Sequence, residues 1–189
     1  NGTYITAIRN SGKTSGKLTS PIGIAYDSTG NLFILDDGPH HARVQKFSNT
    51  GTFLATIVPS DSLDFACYHI AIDSTNRILV SCRYEVTVFD FLVTELFVIG
   101  TAGNGDGQFQ DARGVAVDSL DNIYVADVTQ SRVQKFDSEG NFLLKWGTPG
   151  MGNGEFNGPD ALAIDSADKV YVGEYFTGDK GIGLTENSR

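Results

Sequence analysis

All three histidines of the 189-residue chain, His40, His41 and His69, lie in a loop-like segment or at the start of an apolar run. Imidazole ligates transition metals and titrates nearest neutral pH. A metal centre built from the three would draw two ligands from one loop. Neighbours in an extended segment point to opposite sides, so that geometry is awkward. The three therefore stand as metal candidates behind a plainer reading, two solvated loop histidines and one packed histidine. Arg83, Tyr84 and Tyr175 sit in short polar stretches and complete the candidate ligand face. No G-x-S-x-G, no Cys–His spacing and no phosphate loop is present, so no catalytic residue is assigned and no cofactor is called for.

These residues hang on a repeated framework. GIAYDSTGNLFILD from Gly23, HIAIDSTNRILVSC from His69, GVAVDSLDNIYVAD from Gly114 and ALAIDSADKVYVGE from Ala161 are one pattern written four times, about every 46 residues. Such a period in units of short strands marks a radial or stacked repeat architecture. In the third copy, Val115 to Val117, Ile123 to Ala126, Arg132 to Phe136 and Phe142 to Trp146 are β-type runs separated by turn residues. Four antiparallel strands per unit, here called a to d from the axis outward, is the content of a propeller blade. The fold class expected is all-β: a β-propeller of four-stranded antiparallel blades at about 22–58, 69–99, 114–147 and 161–189. An outer strand at 3–8 precedes them.

The glycine-rich connectors repeat too. Gly107-Gln108-Phe109 and Gly154-Glu155-Phe156 correspond to Gly16-Lys17-Leu18, and the apolar residue of each is expected to plug the gap between neighbouring blades. Asn104-Gly105-Asp106 lacks the acidic density of a calcium loop.

The string GNGDGQF…GVAVDSLDNIYVADVTQSRVQKFDSEGNFLLKWG resembles an NHL repeat, and the other copies resemble diverged ones over essentially the whole chain. The resemblance implies a single NHL-type propeller domain. It is specific for the fold and unspecific for activity. Propellers of that family typically have six blades, whereas this chain has about four blade equivalents. Both a four-bladed ring closed by its own N-terminal strand and a part of a larger propeller are open on these residues. The family includes an amidating lyase with His, Tyr and Arg around a metal, but its three-histidine pattern is not reproduced and no residue is carried over. A metal-dependent lyase or hydrolase is the enzymatic alternative.

Blade two departs from the framework. The only cysteines, Cys67 and Cys82, replace the Pro or Ala before strand a (Pro21, Ala112, Pro159) and the acid after strand b (Asp36, Asp127, Glu174). A hairpin brings these slots level, so a disulfide is expected. Asp36 with Arg43 and Asp127 with Arg132 form couples that blade two loses together, as structural salt bridges across strands b and c would be lost. Asp27, Asp73, Asp118 and Asp165 read as Asx turn formers.

A disulfide points to an oxidising compartment, and Asn1-Gly2-Thr3 is a glycosylation sequon at Asn1, so an extracellular or secreted protein is expected. The chain opens without methionine or a signal-type segment, as a processed chain or a fragment would. A net charge of −9 argues against nucleic acid. The cations and rings RNA would need, Tyr68, Tyr84, Arg83, Arg113 and Tyr175, share their face with Asp64, Asp111, Asp160 and Asp179; RNA binding is the second alternative. No apolar run reaches the ~20 residues of a membrane span. The leading expectation is a non-enzymatic module that binds a protein partner or self-associates through strand edges.

Overall fold

A computed structural model describes residues 7–8, 11–37, 42–58, 63, 66–92, 94–175 and 185–187, the last three for backbone only. Its strands are β1 (Pro21–Tyr26), β2 (Leu32–Asp37), β3 (Ala42–Phe47), β4 (Phe53–Val58), β5 (Cys67–Ile72), β6 (Ile78–Cys82), β7 (Glu85–Phe89), β8 (Glu95–Ile99), β9 (Ala112–Val117), β10 (Ile123–Asp127), β11 (Arg132–Phe136), β12 (Phe142–Trp146), β13 (Pro159–Ile164), β14 (Val170–Glu174) and β15 (Thr185–Asn187). They form sheets β1-β2-β3-β4, β5-β6-β7-β8, β9-β10-β11-β12 and the three-stranded β13-β14-β15, all antiparallel. No helix is present among the described residues, so none is long and apolar enough to cross a membrane.

Each sheet is one blade. Strand alternation sends successive side chains to its two faces, and both faces of an inner blade are apolar, so the core lies between blades. Phe33, Leu35 and Val44 of blade one meet Ile70, Ile78 and Val80 of blade two. Leu79, Val86 and Val88 of blade two meet Val115, Ile123 and Val125 of blade three. Tyr124, Ala126 and Val133 then meet Val170 and Val172 of blade four. The innermost strands pack in series, β1 on β5, β5 on β9 and β9 on β13. Among the described strands β13 does not pack on β1 in the same way, so the described innermost strands form an open arc.

The a–b turns lock both blade and neighbour. Asp27, Asp73, Asp118 and Asp165 each accept N–H bonds from residues two and four positions on, such as Leu120 and Asn122 to Asp118 at 3.0 and 2.9 Å. The serine after the aspartate reaches the next blade. Ser28 bonds Asn76, Ser74 bonds Asp121 and Ser119 bonds Asp168, the last through N–H at 2.8 Å and hydroxyl at 2.7 Å. The three acceptors have φ of 63, 61 and 59°, a left-handed conformation in which Asn and Asp are the best tolerated side chains.

Phe109 and Phe156 are fully buried at the foot of the connectors, and Leu18 is half-buried in the same position. Gly100 makes room for Phe109: it has φ of 99°, and a Cβ there would sit 2.5 Å from the ring. The connectors are held by strand c. Gln134 donates to the Gln108 carbonyl and accepts the Gly107 N–H (2.8 and 2.9 Å), and Gln45 does the same to Lys17 and Gly16 (both 2.7 Å). Arg43 joins in, bonding Asp36 at 2.9 Å together with the Lys13 and Lys17 carbonyls. Arg132 differs in emphasis. Its guanidinium stands 3.7 Å from Asp127 and donates instead to the carbonyls of Asn104, Gly105 and Gln108.

Of the outer strand expected at 3–8, residues 3–6 lie outside the described ones. Ala7 and Ile8 carry no strand, and Ile8 lies beside blade one.

Candidate binding face at the bulged starts of the inner strands

Every inner strand begins with the same irregularity. The register jumps between Pro21 and Gly23, between Cys67 and His69 and between Pro159 and Ala161, and in blade three opposite Val125 and Asp127. Each jump is a β-bulge, a device that re-aims a side chain at the rim of a sheet. The bulged residues are Ile22, Tyr68, Arg113 with Gly114, and Asp160. Four copies of one framework thus present four different side chains at one level.

The b–c and d–a loops meet there. In each blade the first residue after strand b, or the last of it, donates its N–H to the carbonyl before strand a: Asp37 to Ser20, Arg83 to Ala66, Val128 to Asp111 and Tyr175 to Gly158, at 2.7–3.1 Å. The acids at the end of strand b complete the tie. Asp36 accepts the N–H groups of Thr19 and Ser20, Asp127 those of Gln110 and Asp111, and Glu174 that of Asn157. In blade two the acid's place is taken by Cys82, which is disulfide-bonded to Cys67 directly across the hairpin, with S–S 1.99 Å.

Three blades are joined through Arg113. Its guanidinium donates to Asp111 Oδ2 at 3.0 Å and to Asp160 Oδ1 of blade four at 2.8 Å, and it lies 4.8 Å over the ring of Tyr68 from blade two. Burial lowers the affinity of Arg113 for its proton, but Asp160, Asp111 and Tyr68 outweigh this and raise it. Burial also pushes the Tyr68 hydroxyl above its usual range; the nearby Asp111 carboxylate adds to this, while Arg113 opposes it. The group is an ionic network whose cation lies between two carboxylates, while Asp111 Oδ1 is buried with no hydrogen-bond partner among the described residues.

His69 follows Tyr68 and fills the slot of Gly23, Gly114 and Ala161. Its N–H donates to Ser81 Oγ at 3.1 Å, and the Ser81 hydroxyl donates to the Arg113 carbonyl. Burial pushes the imidazole below its usual value of 6.5; Asp160 opposes and Arg113 reinforces the shift. Arg83 is exposed with its guanidinium 5.1 Å over the Tyr84 ring, and Tyr175 stands 60% exposed.

His69, Arg83 and Tyr84 of blade two and Tyr175 of blade four therefore share the loop face. His40, His41 and Asn1 lie outside the described residues. Among the described residues no group of three His, Cys, Asp or Glu is placed to hold a metal ion. The residues that organise the face are Tyr68, Arg113 and Asp160, which the sequence reading placed only in an RNA context. Their signal was positional: they hold the one position within strand a at which the four copies share no residue type.

Blades packed through their inner strands around a common axis define a β-propeller. Residues 109–136 match the NHL repeat family, so the chain carries an NHL repeat within its propeller-type blades. It is 38% identical over 145 residues to the B-box type zinc finger protein ncl-1 of Caenorhabditis elegans (71% of this chain, 16% of that protein). To protein lin-41 of the same organism it is 40% identical over 50 residues, 26% of this chain and 4% of that one. The chain thus spans only a small part of either relative. Among solved structures it resembles a virginiamycin B lyase from Staphylococcus aureus (TM-score 0.61, 14% identity, 89% of this chain and 55% of that one). It also resembles a putative gluconolactonase (TM-score 0.64, 12% identity, 86% and 58%). At these identities the likeness is one of fold.

Proposed function

We propose that the chain is a non-enzymatic, protein-binding propeller segment that meets its partner with the loop face carrying Tyr68, Arg83, Tyr84 and Tyr175. The observation that carries this is the Tyr68–Arg113–Asp160 network. Its charges are spent on one another across three blades, which supports a rigid patch over a reactive one. Around it stand tyrosines and an arginine, the residue types that dominate protein–protein hot spots. A phosphate backbone would meet an Arg113 already paired with two carboxylates, on a protein of net charge −9. The Cys67–Cys82 disulfide supports an oxidising compartment as the place of action.

The test is peptide display against the immobilised chain. Selected peptides are expected to lose about tenfold or more in affinity to Arg83→Ala and to Tyr84→Ala, since hot-spot truncations cost about 2 kcal/mol or more. Peptides that bind both variants as well as the parent would refute the placement. Salt-dependent RNA retention on filters, lost in Arg83→Ala, would refute the partner class.

A further inference from the structure

Blade two brings less chain to the loop face than its neighbours. Its b–c connection is only Arg83 and Tyr84, with Cys82 paired to Glu85 across the turn, against residues 38–41 in blade one and 128–131 in blade three. Its d–a connector is residues 59–66, against 100–111 and 147–158 before blades three and four. Less chain is therefore available to stand over β5 and β6, and the turn itself presents Arg83 and Tyr84.

The backbone of Arg83 is fixed on both sides. Its N–H donates to the Ala66 carbonyl at 3.1 Å, and its carbonyl accepts the N–H of Ala112 in blade three at 2.7 Å. The residue before it, Cys82, is tied to Cys67 by the disulfide. The side chain is exposed, with its guanidinium 5.1 Å over the Tyr84 ring. Stacking uses the face of the guanidinium and leaves unspent its five donors, which lie in the plane. Among the described residues Arg43, Arg77, Arg113 and Arg132 are all ion-paired, and Arg83 alone is not. In blades one and three the acid that ends strand b pairs with an arginine. Blade two has Cys82 in the acid's place, and its arginine is left free.

We propose that Arg83 receives one carboxylate, from an Asp or Glu of an extended and otherwise uncharged segment of the partner protein laid across the blade-two turn against Tyr84 and Tyr68. This rests on the protein-binding reading of the face and names the partner chemistry. A guanidinium fork holds a carboxylate through two parallel N–H bonds, and a turn already fixed by backbone bonds loses little freedom on binding. The charge of Arg83 reaches the Tyr68 hydroxyl and favours its ionised form, so that ring borders the same spot. The surrounding charges limit the ligand. One unpaired cation near Asp111 and Asp160 accepts one negative charge, and a net charge of −9 repels a segment that carries several. A phosphodiester backbone brings a charge with every nucleotide and needs a row of cations.

The probes are two displayed peptide libraries of equal length, one complete and one with Asn and Gln in place of Asp and Glu, selected against the immobilised chain. Binders are expected from the complete library and should share one Asp or Glu. Changing that residue to Asn or Gln, or Arg83→Ala in the protein, should each weaken binding about tenfold, and both together should cost no more than either alone. Arg83→Glu should reverse the preference and bind the peptide better once its acid is replaced by Lys. The peptide-side change needs no variant of the protein, so it reads the contact whatever Arg83→Ala does to folding. Binders drawn equally from the acid-free library that still lose affinity in Arg83→Ala would overturn the carboxylate and leave the binding face standing. An acid whose loss costs as much in Arg83→Ala as in the parent sits on another cation, and the proposal falls. No binder from either library, or binders indifferent to both Arg83→Ala and Tyr84→Ala, would overturn both readings. RNA retained on filters and lost in Arg83→Ala would give the cation to phosphate instead.

Discussion

Truncating Phe109 to alanine measures how much an inter-blade plug stabilises the arc. The ring is fully buried between blades two and three and lies 5.9 Å from Phe136. Gly100 below it, with φ of 99°, leaves the space the ring fills, so the backbone has little reason to collapse into the cavity. Buried Phe→Ala changes cost about 3–5 kcal/mol, a large part of the 5–15 kcal/mol that holds a typical domain. Leu18 is the internal control. It occupies the same connector position before blade one, but no preceding blade covers it and it remains half-exposed. Burying a leucine fully is worth about 1.5–3 kcal/mol, so Leu18→Ala should cost only about 1 kcal/mol. Urea unfolding followed by Trp146, the single tryptophan, reads both variants at concentrations where the chain is monomeric. Equal costs for the two would refute the plug reasoning.

Further expectations concern covalent and ionic ties. Reduction, or Cys67→Ser with Cys82→Ser, should destabilise the fold by about 3 kcal/mol for a loop of separation 15, and two titratable thiols in unreduced, unfolded protein would refute the bond. Burial raises the Asp118 pKa, but bonds from Asn122, Tyr124 and Leu120 outweigh it and hold the value below 3.8. Its contribution is then present above that pH and lost as pH falls toward the folded value, so Asp118→Asn should flatten the acid limb of stability. Asp127 carries the opposite sign. Burial lifts it above 3.8 despite bonds from Asp111, Gln110 and Gln130, so its ionised form weighs against the fold and Asp127→Asn should steepen the acid loss. Partial burial holds the half-buried His69 imidazole below its usual 6.5, so its contribution is full above that pH and is lost as pH falls below it; His69→Gln should remove that component of a pH–stability curve, and an unchanged curve would contradict the shift.

The repeat framework was readable because strand alternation and turn aspartates are local signals. GVAVDSLDNIYVAD spells out an inner strand, an Asx turn and a second strand with no tertiary information needed. The disulfide was readable because the hairpin register brings Cys67 level with Cys82. The bulges were hidden: one extra residue at Ile22, Tyr68, Arg113 or Asp160 only makes strand a look longer, and nothing in the pattern says where its side chain is sent. The Asp127–Arg132 ion pair was legible because opposite charges show in a sequence, and the two stand 3.7 Å apart. The hydrogen bonds Arg132 also donates, to the carbonyls of Asn104, Gly105 and Gln108, use groups that every residue carries and so leave no mark. Ring closure was unreadable for a related reason, since curvature between blades comes from their packing and not from strand pattern.

The most direct test of the binding face is to map a selected peptide on the isotopically labelled protein by chemical-shift perturbation. The account predicts shifts concentrated at Tyr68, Arg83, Tyr84, Arg113 and Tyr175, with the a–b turns at Asp73 and Asp118 silent. Shifts centred on those turns, or on blade one at Ile22 and Ile24, would contradict it.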